Sequence, residues 1–84
     1  MLERDVEAWL VAEAKRRGGI AYKFTSPQRR SVPDRLVLMP GGRMFFVECK
    51  RPGGQPTEAQ TREHERMREL GFDVFVMDKK EWPV

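Results

Sequence analysis

Three residues stand out by type and spacing: Asp34 in Val-Pro-Asp-Arg, and Glu48 and Lys50 in Val-Glu-Cys-Lys. Alternation along an extended strand puts Phe46, Glu48 and Lys50 on one face and turns Cys49 to the other. Taken singly, each is an ordinary charge. Asp34 is a turn residue after Pro33, and Glu48 with Lys50 is an ion pair at a strand end. At the ends of strands reading Leu-Val-Leu-Met and Met-Phe-Phe-Val, however, buried charge is costly unless it is used. Two carboxylates brought together cannot both stay ionised unless positive charge lies between them, and a divalent cation supplies it. Such an ion lowers the pKa of a bound water and polarises a phosphoryl oxygen. Lys50 then orients the nucleophile or balances charge as phosphorus becomes pentacovalent. The backbone carbonyl of Cys49 is within reach of the same ion, because hard cations accept carbonyl oxygen.

A hairpin must position these groups. Asp34 to Met39 and Arg43 to Lys50 read as two strands joined at Pro40-Gly41-Gly42. If the loop has three residues centred on Gly41, Asp34 lies directly across from Glu48, with Cβ atoms about 4.5–5.5 Å apart. A two-residue turn at Gly41-Gly42 shifts the register by one and points Asp34 away. The chemistry favours the first register; the turn sequence leaves both open.

The flanking elements complete an αβββαβ order. Residues 3–17 read as a helix with Val6, Trp9, Leu10 and Ala14 on one face, ended by Gly18-Gly19. Ile20 to Phe24 is a short strand, and Thr25 to Val32 a polar, basic loop. Thr57-Glu58-Ala59-Gln60 fits a capping box that starts a second helix, which stops at Gly71. That helix offers only Ala59, Met67 and Leu70 as clear apolar residues, so it buries one narrow stripe. Phe72 to Met77 is the last strand, and Trp82 in the tail packs on the domain or on a partner. No internal repeat or low-complexity segment is found.

Composition limits the alternatives. Eighty-four residues make one α/β domain spanning residues 1–84. A domain this small buries only about 60% of its unfolded surface, which favours a homodimer. One cysteine and one histidine (His64) exclude a disulfide and a Cys-rich zinc site. Any metal is therefore held by carboxylates, which points to Mg2+ or Mn2+. His64 reads as a surface or packed helix residue and not as a base. No apolar run is long enough to span a membrane, and the acidic, amphipathic N-terminus is unlike a signal peptide, so the chain reads as cytoplasmic.

In this order the residues resemble the VRR-NUC (virus-type replication-repair nuclease) family of the PD-(D/E)xK nuclease superfamily. The similarity takes in Val6-Glu7, Gly18-Gly19, Tyr22-Lys23-Phe24, Val32-Pro33-Asp34-Arg35, Phe46 to Gly53, Gln60 and Gly71. It covers nearly the whole chain. The resemblance implies a small restriction-endonuclease-like core with a mixed sheet flanked by helices. It implies Asp34, Glu48 and the Cys49 carbonyl as metal ligands and Lys50 as the catalytic lysine. Glu7, or Glu3 one turn earlier, matches the family's acidic residue of the first helix, and Gln60 lines the site. Two departures are Ser31, where a glycine commonly precedes Val-Pro-Asp, and Cys49 in place of an aliphatic residue. Neither removes a catalytic group.

The net charge is +3, and the basic residues Lys23, Arg29, Arg30, Arg35 and Arg51 gather around the strand ends that carry the site. They read as a phosphate-tracking surface with salt-dependent DNA binding. No recognition helix, zinc module or basic zipper is present, so shape or junction structure is the expected feature read. Stand-alone members of the resembled family are associated with phage genomes and with cleavage of branched DNA, including four-way (Holliday) junctions. The expectation is thus a metal-dependent, homodimeric endonuclease. The alternatives are a non-catalytic DNA-binding module and an interaction subunit of a helicase or replication complex.

Overall fold

In the computed structural model, which describes residues 1–84, the chain forms α1 (Glu3–Arg16), β1 (Ile20–Lys23), β2 (Arg35–Met39), β3 (Arg43–Cys49), α2 (Glu58–Glu69) and β4 (Val74–Met77). The expected αβββαβ order is observed. The sheet runs β1-β2-β3-β4. Its first two pairings are antiparallel, and β4 is parallel to β3, with α2 as the crossover.

The hairpin closes with Met39 opposite Arg43, leaving Pro40, Gly41 and Gly42 as a three-residue loop. Gly41 and Gly42 both have positive φ, 83° and 77°, which a side chain would resist. The register therefore pairs Arg35 with Val47 and Leu36 with Phe46. Carried one step further, it sets Asp34 opposite Glu48. Of the two registers the turn sequence allowed, this is the one that brings the carboxylates together.

Period-2 alternation divides the sheet into two faces. On one, Ala21, Val37, Phe45, Val47, Cys49 and Met77 pack with Val6, Leu10 and Ala14 of α1 to form the core. Trp82 returns to this face, edge-on to Phe45, and Arg17 stacks over its ring at 4.4 Å. The tail thus docks on its own domain. Glu48, His64 and the half-buried Lys50 lie on the other face, toward α2.

The second helix differs from its expected apolar stripe. Leu70 is 72% exposed, and the buried α2 residues are Glu63 and His64. The inner face of the helix meets charged partners, Arg29 of the 25–32 loop at Glu63 and Glu48 of β3 at His64, so polar groups fill it. The last strand is also shorter than read. Gly71 N–H donates to Arg68 O and Phe72 N–H to Met67 O. These two residues complete the helix C-cap and are unavailable to the sheet. Arg68 donates to Val74 O through Nε at 3.2 Å and Nη2 at 2.7 Å, tying the end of α2 to β4.

Candidate active site

Asp34 sits immediately before β2. Its backbone carbonyl accepts from Phe24 N–H at 2.8 Å, and its Oδ2 accepts from Cys49 N–H at 2.9 Å. The side chain therefore spans the gap to β3 beside Glu48. Glu48 is only 2% exposed. Lys50 Nζ lies 3.6 Å from its Oε2, and Gln60 Nε2 donates to the same oxygen at 3.3 Å. Gln60 serves the helix as well. Its backbone N–H donates to Thr57 Oγ1 and its side-chain oxygen accepts from Thr57 N–H, completing the capping box. One side chain thus completes the capping box with its amide oxygen and reaches Glu48 with its amide nitrogen.

The carboxylate pair is electrostatically loaded. Burial pushes the Glu48 carboxyl up from 4.5 to about 8, and the neighbouring Asp34 charge and hydrogen bond push the same way, against a smaller opposing effect of Lys50. The second oxygen, Oε1, is buried with no hydrogen-bond partner. Facing it at 3.6 Å is His64 Nε2, also buried and also without a partner. Burial, then the charges of Arg68 and Lys50, hold the imidazole below its usual pKa and favour its neutral form. Sequence reading set His64 aside. Its place four residues after Gln60, on the same helix face, is the available signal.

Two expected contributors pair with each other on the α1 side. Glu7 reaches the sheet from the α1 side, where Arg35 Nε holds its Oε2 at 2.7 Å and Lys23 Nζ lies at 3.5 Å. Glu3, the other α1 acid considered, is exposed. Arg35 alternates with Asp34 and so points to the α1 face, where it also donates to Ala21 O at 3.1 Å. Its side chain is 18% exposed, and it is a structural ion-pair partner instead of the free phosphate contact expected. Lys23, Arg29, Arg30 and Arg51 are exposed. Lys23, Arg29 and Arg30 line a cleft with Asp34 in its wall. Cys49 is buried, its thiol pushed up to about 12 chiefly by burial, so its side chain is inert packing.

The donor set suits a hard cation. Two carboxylates that raise each other's proton affinity, one with an unpartnered buried oxygen, gain from positive charge between them. No group of three His, Cys, Asp or Glu side chains converges, so an ion here would keep positions open for water and phosphate oxygen.

A mixed sheet with acidic groups at the mouth of a hairpin and a lysine two residues beyond defines a nuclease-like core. The comparisons agree. No protein-family model matches the chain. A protein of Acyrthosiphon pisum secondary endosymbiont phage 1, named "Putative nuclease p44", is 54% identical over 79 residues, covering 94% of this chain and 85% of that protein. A solved structure described as a VRR_NUC domain superposes with a TM-score of 0.87 at 35% identity, covering 93% of this chain and 85% of that one. The chain belongs to the VRR-NUC family of nucleases.

Proposed function

We propose that this nuclease is a metal-dependent DNA endonuclease acting on branched DNA such as four-way junctions, as a homodimer. The observation that carries the reading is the 34-to-48 register, which aligns Asp34, Glu48 and Lys50 on one face with the Oε1 of Glu48 unpartnered. Asp34, Glu48 and the Cys49 carbonyl would hold Mg2+ or Mn2+, which when bound supplies an acidified water and charge on the phosphoryl oxygen. The chain's own groups do the rest. Lys50 sits where it orients the attacking water and offsets charge on phosphate. Gln60 and His64 bracket the Glu48 carboxylate and fix its rotamer. Arg29, Arg30 and Lys23 line the approach to Asp34 and carry phosphate contacts, with Arg51 beyond Lys50.

The dimer is supported by the sheet itself. Ile20, Leu38 and Met44 lie in one cross-strand row, with Tyr22 in the next, on the face that α2 leaves open. All four are at least 36% exposed. A second copy covering this apolar row would set two sites on one particle, as symmetric junction cleavage requires. Light scattering of wild type and Tyr22→Glu tests it: wild type runs as a dimer and the variant as a folded monomer.

Cleavage is tested by incubating four-way junction, flap and linear duplex with Mn2+, Mg2+ or chelator. We expect metal-dependent junction cutting that falls by at least about 100-fold in Lys50→Ala and Asp34→Asn. Undiminished cutting by either variant would remove the site. Binding without cutting under every metal condition would favour a non-catalytic module.

A further inference from the structure

We propose that the cleft between the 25–32 loop and the face of α2 that carries Arg62 and Arg66 is a second phosphodiester-binding site, in which these two arginines extend the DNA track beyond the carboxylate site. The proposal deepens the nuclease reading and rests on it for the identity of the polyanion.

The cleft measures about 340 Å³, and four of its eight lining residues are arginines: Arg29 and Arg30 from the loop, Arg62 and Arg66 from α2. Against them stands one acid, Glu63. The surplus of three positive charges equals the net charge of the whole chain. Positive charge therefore outweighs negative charge on this concave surface. A concave basic surface focuses field lines and draws a polyanion more strongly than scattered charge does.

Glu63 organises the cleft. Its side chain is 9% exposed, and its Oε1 holds Arg29 Nη2 and Nε at 2.8 Å, with Arg66 Nε at 3.8 Å. One buried carboxylate thus anchors arginines from two elements, and both side chains stay at least half exposed, at 50% and 64%. Each guanidinium has five donors in a fixed fork, so an edge held by Glu63 leaves the others for phosphate oxygens. Arg62 precedes Arg66 by one helical turn on the same face, about 5–6 Å away. Its contact with Glu58 is 4.0 Å long and fully solvated, so it competes weakly.

Arg29 and Arg30 also line the neighbouring cleft that contains Asp34. They form a shared wall. A DNA backbone with a phosphate at Asp34 passes over these two arginines and continues onto Arg62 and Arg66. Helix α2 then has two jobs on two faces: Gln60 and His64 support the carboxylate site, and Arg62 and Arg66 grip the flanking duplex.

The test is DNA binding by fluorescence anisotropy in chelator, over a series of salt concentrations, for the full chain. Arg62→Ala/Arg66→Ala should weaken duplex and junction binding by about 10-fold or more and lower the slope of log K against log salt by about two. Lys79→Ala/Lys80→Ala removes the same charge from the tail and should change neither. Circular dichroism verifies that both variants are folded. Equal slopes for wild type and the α2 variant would overturn the second site while leaving the nuclease reading intact. A lowered slope with no metal-dependent cutting by wild type would do the reverse. An equal loss in both double variants would reduce the effect to net charge and overturn the site.

Discussion

Replacing Glu48 by glutamine should stabilise the metal-free protein at high pH and not at low pH. The carboxyl titrates near 8 in the fold, against 4.5 ordinarily. Between those values the folded state holds a proton that the unfolded state has released, so stability falls as pH rises through the window. At about 1.4 kcal/mol per pK unit, the loss is of order 4 kcal/mol at pH 8 relative to pH 4. A domain of this length has roughly 4–13 kcal/mol in total, so the effect is large. Glutamine keeps the shape of the protonated acid and cannot ionise. Glu48→Gln should thus gain about 2–4 kcal/mol at pH 8, roughly 10–20 °C in Tm, and stay within about 1 kcal/mol of wild type at pH 5. Thermal melts in chelator across pH read this directly. Mn2+ should then raise the Tm of wild type at pH 8 and leave the variant unmoved. A Tm difference independent of pH would refute the electrostatic account of the pair. Stabilisation of the variant by Mn2+ would refute Glu48 as a ligand.

Other outcomes follow from single contacts. His64→Leu, which removes a buried unpartnered nitrogen, should keep its melting temperature within a few degrees and weaken Mn2+ binding by about 10-fold or more. His64→Gln, retaining a donor, should recover most of it by calorimetry. Arg35→Met strands the Glu7 carboxylate against the sheet and should cost about 1–3 kcal/mol in urea unfolding, with no change in the salt slope of DNA binding. Thr57→Ala removes the hydroxyl that caps α2 and should cost about 1 kcal/mol in urea unfolding; the Thr57 N–H that holds the Gln60 side chain remains, so cleavage should be little changed.

Much of the candidate site was readable along the chain because its parts are local. Alternation alone places Glu48 and Lys50 together. The capping box names Thr57 and Gln60, and the spacing of the two strands leaves only two registers. What the chain order could not supply was the third dimension. Arg35 and Asp34 are adjacent in sequence, yet alternation sends them to opposite faces, and only the position of α1 reveals that Arg35 is occupied by Glu7. The same placement pairs Glu7 with Lys23 as well. The inner face of α2 shows the same limit. Its polar residues looked solvent-facing, but packing against β4 and the basic loop buried Glu63 and His64.

Sequence by itself determined the order of elements, the core face of α1 and the chemical types at the hairpin mouth, since each depends on periodicity or on a local turn. The tertiary structure decided the rest. It chose the three-residue turn that sets Asp34 against Glu48, turned His64 toward the carboxylate, and let Glu63 gather arginines from two elements. These are contacts across long sequence separations, where backbone register and helix docking select partners that spacing cannot distinguish.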